Sequence, residues 1–104
     1  MKMYQVYISQ PAMQDLQSIK YYIGKELQEP AIASNLIKKI QDVVMGLDQI
    51  PTRHALVADE RLARNGIRQI PVKNYIVFYI VNEADSAVTV VRILYGQRNW
   101  IDLL

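Results

Sequence analysis

The chain has 104 residues, 51% of them hydrophobic, and a formal net charge of +2. That is the length of one domain, 1–104, with material for one modest core. Cysteine is absent, which excludes disulfides and thiolate metal sites. No apolar run reaches the roughly 18 residues of a membrane span, and the opening MKMYQVYIS has no long apolar stretch of the kind a signal peptide needs. A soluble, cytoplasmic protein without membrane contact is therefore expected.

Residues 4–9 read as a short strand, with Tyr4, Val6 and Ile8 alternating against Gln5, Tyr7 and Ser9. Ser9 or Gln10 precedes Pro11, a residue favoured in the first turn of a helix. Asp15 is expected near that N-terminus, where the helix dipole favours acids. Ala12, Leu16, Ile19, Ile23 and Leu27 form one apolar stripe. Pro30 marks a break and a restart. The second helix carries Ala33, Leu36, Ile37, Ile40, Val43, Val44 and Leu47 on one face, so the two helices make a hairpin. Ile50-Pro51-Thr52 ends it. Residues 53–66 read as a polar connection closing on the turn signal Asn65-Gly66.

Three strands follow. Residues 67–72 form the first, and Pro71 within it argues for an edge position or a bulge. Residues 75–82 are apolar on both faces, which marks a central strand covered on both sides. Residues 87–95 form the third, after a hairpin-type loop at 82–86. Asn99 to Leu104 is a helical turn or a tail. The order β-α-α-β-β-β gives an α+β fold: a helical hairpin packed on a mostly antiparallel four-stranded sheet.

The charge is unevenly distributed. Residues 1–52 balance five Lys against five acids, whereas all six Arg lie in residues 53–104. Arg pairs with phosphate or carboxylate through its planar fork, so that half suits an anion-binding face or a set of solvated charges. Few catalytic parts are present. The single His, His54, reads as a surface loop residue. No metal-ligand spacing and no Gly-rich phosphate loop occur, and the serines have no His near them in sequence. Glu26 and Glu29, one turn apart, read as solvated. Neither a cofactor nor a small-molecule substrate is expected. What remains is the late sheet, where Arg68, Lys73, Arg92 and Arg98 are interspersed with Tyr75, Tyr79, Tyr95 and Trp100. Bases among aromatics suit nucleic acid or an acidic protein partner. Strand parity places Arg92 with Val88, Val90 and Leu94. A charge there is costly unless paired, so Arg92 is expected at a sheet end or bonded to an acid or carbonyl.

The run NGIRQIPVKNYIVFYIV, a loop, then VTVVRILYGQRN, together with the opening YISQPAMQDLQSIKYYI, resembles the RelE/ParE superfamily of bacterial toxins over nearly the whole chain. The resemblance implies the fold just derived. It also implies a toxin of a type II toxin–antitoxin pair, of the kind tied to plasmid stabilization and held inactive by a cognate antitoxin. RelE-type members cut mRNA on the ribosome; ParE-type members poison DNA gyrase. RelE-type members place Arg after the residue that opens the central strand, and here Ile76 follows Tyr75. They often carry paired Lys on the preceding strand, and here Arg68 and Ile70 occupy those places. Many have His where Tyr95 stands and end with Tyr or His, whereas this chain ends Trp100-Ile101-Asp102-Leu103-Leu104. Arg98 matches the Arg that follows the last strand. The apolar residue after Tyr75 is closer to the ParE-type pattern, so gyrase poisoning is expected, with Arg68, Lys73 and Arg98 as target contacts. The alternatives are an RNA endonuclease, in which Arg68, Tyr95 and Arg98 are catalytic and Lys73 holds RNA, and a non-toxic binding module. An acidic or amphipathic antitoxin that folds on binding is the expected partner.

Overall fold

The computed structural model describes residues 2–104. Its elements are β1 (Gln5–Ile8), α1 (Gln10–Tyr21), α2 (Pro30–Met45), α3 (Glu60–Arg64), β2 (Arg68–Val72), β3 (Tyr75–Asn82) and β4 (Ala87–Tyr95). Ser9 caps α1: its hydroxyl oxygen accepts from the Ala12 amide at 3.2 Å, with Pro11 in the first turn. Helix α1 buries Ala12, Leu16 and Ile19. It then widens into a π turn over Tyr22–Glu26, in which Leu27 N donates to Tyr22 O five residues back. A wider turn carries more residues than 3.6, so the apolar stripe falls out of phase after Ile23. Leu27, expected at the end of that stripe, is instead 52% exposed. Helix α2 keeps its phase and buries Ala33, Leu36, Ile40 and Val44, with Leu47 in the 3-10 turn that follows.

The sheet order is β1-β4-β3-β2. Strand β1 is parallel to β4, and the other two pairings are antiparallel. Strand β3 is central, as its two apolar faces demand. Pro71 lies on β2, an edge strand, where a missing N–H is tolerated. The helical hairpin covers one face through a core that includes Ile40, Leu47, Val77, Tyr79, Val88 and Val90. The other face carries a smaller core of Val57, Leu62, Ile67, Phe78 and Leu94, closed by Trp100, Leu103 and Leu104.

Two sequence expectations are corrected here. The 53–66 segment is not only a connection. Asp59 caps α3 by accepting from Leu62 N at 3.0 Å, and Leu62 is buried. Five residues with one buried apolar side chain leave no periodicity to read. The strand parity of Arg92 also changes. The β3–β4 register runs Phe78↔Arg92 and then Tyr79↔Val90, so Val91 is an extra residue in β4. This bulge puts Val88 and Val90 on the helix side, while Arg92 alternates with Leu94 on the other.

Candidate functional site

Strand β1 pairs with β4 only as far as Val90, which leaves the edge of β4 open beyond it. Side chains from the start of α1 partly close that edge. The Ser9 hydroxyl donates to Val91 O at 2.9 Å. Asp15 accepts from the Ile93 amide at 2.9 Å and from the Arg92 guanidinium twice, at 2.7 and 2.9 Å. Asp15 is thus a sheet residue in effect, not a helix-dipole residue; it lies beyond the first turn of α1. Its bonds to Arg92 hold the guanidinium pKa above its ordinary value, against the opposing effect of burial. The expected acid partner for Arg92 is therefore present.

Beyond Asp15 the open end of the sheet and the helical hairpin line a solvent-open cavity of about 1370 Å³. Ile19, Ile23, Leu36 and Ile93, all buried, form part of its lining. The out-of-phase Leu27 and Tyr22, 51% exposed, line it from the hairpin. From the sheet come Tyr75 and Tyr95, register partners whose rings meet edge-on at 5.7 Å. Burial, with added effects of Tyr22 and Tyr95, raises the Tyr75 phenol pKa above its ordinary value.

The two-residue turn before Tyr75 presents Lys73, which adopts a left-handed φ of 55°. The turn after Tyr95 presents Arg98, whose amide donates to Tyr95 O at 3.0 Å. Lys38 and Lys39 of α2 complete the basic lining. Among the described residues, neither Lys73 nor Arg98 enters a side-chain hydrogen bond or ion pair.

Lys73, Tyr95 and Arg98 are therefore brought together. Arg68 is not with them. It pairs with Tyr79, four residues along β3 from Tyr75, a separation of about 13 Å at strand rise. There Arg68 Nη1 donates to His54 O at 2.6 Å and to Thr52 O at 3.3 Å. Arg53 Nη1 donates to Gln49 O at 2.8 Å, and the fully buried Tyr79 donates its hydroxyl to Pro51 O at 2.5 Å. His54 sits edge-on to Tyr79 at 6.4 Å, and burial, with Arg53 nearby, lowers its pKa. Burial raises the pKa of Tyr79, against the pull of Arg68 and Arg53.

Sequence reasoning missed Tyr22, Asp15 as the partner of Arg92, and the role of the π turn. All three depend on contacts between distant segments. Among the described residues no group of three His, Asp or Glu is placed to hold a metal, and no helix is long and apolar enough to cross a membrane. The arrangement suits an anionic partner with apolar or planar groups: exposed cations without side-chain partners among the described residues, two tyrosines from the sheet and an aliphatic lining.

Residues 6–100 match the family model for the ParE toxin of the type II toxin–antitoxin system, parDE. No curated protein matches the sequence. Among solved structures, the chain is similar to one in the chromosomal ParDE system from P. aeruginosa. The two are 20% identical, with a TM-score of 0.73, over 93% of this chain and 100% of that one. A chain in the RelBE2 toxin–antitoxin complex from Mycobacterium tuberculosis has 17% identity and a TM-score of 0.63 over 89% and 98%. A mutant of the E. coli toxin RelE in the free state has 10% identity and a TM-score of 0.67 over 97% and 92%. These structural likenesses concern the fold.

Proposed function

We propose, from the premise that this chain belongs to the ParE toxin family of type II toxin–antitoxin systems, that it arrests growth by binding its target without cutting RNA, and that the target is DNA gyrase. The observation that carries this reading is the composition of the cavity mouth. Lys73 and Arg98 are there to bind, but among the described residues no His lines the cavity with them, and of its two carboxylates Asp15 is already bonded and Asp42 stands across on α2. RNA cleavage by 2′-hydroxyl attack needs a proton acceptor as well as cations. Asp15 is held by Arg92 and the Ile93 amide. The raised pKa of Tyr75 keeps its phenol protonated near neutrality. His54 lies at the other end of β3, against Tyr79. Ile76, in the place where RNA-cutting relatives carry Arg, packs against the second core.

A cognate antitoxin neutralises the protein in this reading. Leu27 and Ile32 are exposed and line the cavity together with Lys38, Lys39, Lys73 and Arg98. That pairing of apolar wall and basic rim fits an acidic amphipathic segment that orders on binding. The test is a supercoiling assay with purified bacterial gyrase and relaxed plasmid, beside a ribosome-bound mRNA cleavage assay. Loss of supercoiling with intact mRNA supports the reading. Cleaved mRNA with unaffected supercoiling contradicts it and returns Tyr95 and Arg98 as catalytic candidates.

A further inference from the structure

The two cations at the cavity mouth stand on different turns, Lys73 between β2 and β3 and Arg98 after β4. A backbone bond joins those turns: Gly96 N donates to Asn74 O at 2.8 Å. A Cβ on Gly96 would lie 3.3 Å from that same oxygen and 3.4 Å from Ile76 Cδ1. The constraint at Gly96 is space, since its φ is not in the left-handed region. Neither neighbour yields freely. Asn74 O is main chain in a tight turn, and Ile76 is packed against the second core. An added methyl group therefore pushes Asn74 O, and the hairpin tip that carries it, by a few tenths of an ångström, because close-packed groups transmit a displacement.

We infer that Gly96 is a positioning residue. Its lack of a side chain lets the turn after β4 close on Asn74 O and so fixes Lys73 relative to Tyr95 and Arg98. This inference rests on the reading of Lys73 and Arg98 as target contacts. A preorganised pair of cations binds without the cost of ordering two independent turns. Lys73 fits the same picture: it holds a left-handed φ of 55°, where Gly or Asn is the easier choice.

The test compares four chains: wild type, Gly96→Ala, Lys73→Ala/Arg98→Ala, and all three substitutions together. Each is induced in steps in a bacterial host without antitoxin, with protein amount measured by immunoblot, so the readout does not depend on the target's identity. Gly96→Ala is expected to need about tenfold more protein for half-maximal growth arrest. In the Lys73→Ala/Arg98→Ala background it adds less than about twofold, because neighbours acting through one another are not additive. A tenfold loss in both backgrounds overturns the inference, since it marks a general structural effect. Full potency of Gly96→Ala also overturns it. Full potency of Lys73→Ala/Arg98→Ala overturns the underlying reading of the two cations, and this inference with it. A second measurement holds even if Gly96→Ala does not fold. The Gly96 amide of the wild-type chain should exchange slowly with solvent deuterium; exchange as fast as in an unstructured peptide overturns the clasp.

Discussion

The two ends of β3 use the same residue types to opposite effect. At the Tyr79 end, Arg53 and Arg68 donate to main-chain carbonyls and the tyrosine is fully buried with its hydroxyl bonded. At the Tyr75 end, Lys73 and Arg98 have no side-chain partner among the described residues, and Tyr95 is 42% exposed. The difference comes from what lies over each end. The 3-10 turn at Pro51–Arg53 offers its carbonyls to the first. Over the second there is the cavity. An arginine near a tyrosine is therefore not in itself a binding signal; its hydrogen-bond partners decide.

Substitutions at the two ends should therefore have opposite consequences for stability and for growth arrest. The largest effect is expected at Asp15, which supports the open end. Its carboxylate takes three hydrogen bonds while only 12% exposed. Asp15→Ala leaves Arg92 and the Ile93 amide without their acceptor and should cost about 3 kcal/mol in urea unfolding. Tyr79→Phe should cost about 2 kcal/mol by the same measurement, because it leaves Pro51 O without its buried donor. Arg68→Ala should cost about 1 kcal/mol, since its bonded carbonyls are partly exposed, and should weaken growth arrest only as far as it lowers folded protein.

Lys73→Asn is the sharpest contrast. Asn tolerates the left-handed φ, so stability should stay within about 0.5 kcal/mol of wild type, while growth arrest weakens about tenfold. A loss of stability with unchanged toxicity would reverse the assignment of the two ends. The smallest effect belongs to His54. Burial lowers its folded pKa below 6.5, so the unfolded chain takes up a proton first as pH falls. Stability should be complete above pH 6.5 and slip slightly as pH falls from there toward the lower folded pKa. His54→Gln should flatten that slope in unfolding curves taken between pH 7.5 and 5.

Much of the fold was legible because periodicity is local. The stripe of α2 and the two apolar faces of β3 can be read from neighbouring residues, and Pro71 pointed to an edge position or a bulge for β2, which lies at the edge. What was not legible depended on departures from a regular period or on distance along the chain. The π turn moved Leu27 off its stripe, and the bulge at Val91 split a parity that looked continuous. Five residues of α3 carry no period. Asp15 and Arg92 are 77 residues apart in sequence. For the site, the hairpin sequence brought Lys73 to Tyr75, and strand pairing brought Tyr95 and Arg98 to them. Arg68 lies at the far end of β2 from Lys73, and its carbonyl partners, Thr52 and His54, lie at the end of the second helix and in the connection after it, where no period could be read.

Gyrase as the target of the open end is a proposal that one culture can test. The most direct measurement follows DNA and protein synthesis by pulse labelling in one bacterial culture, over the first minutes after induction without antitoxin. With gyrase as the target, DNA synthesis falls first while protein synthesis continues. Protein synthesis falling first would contradict that proposal.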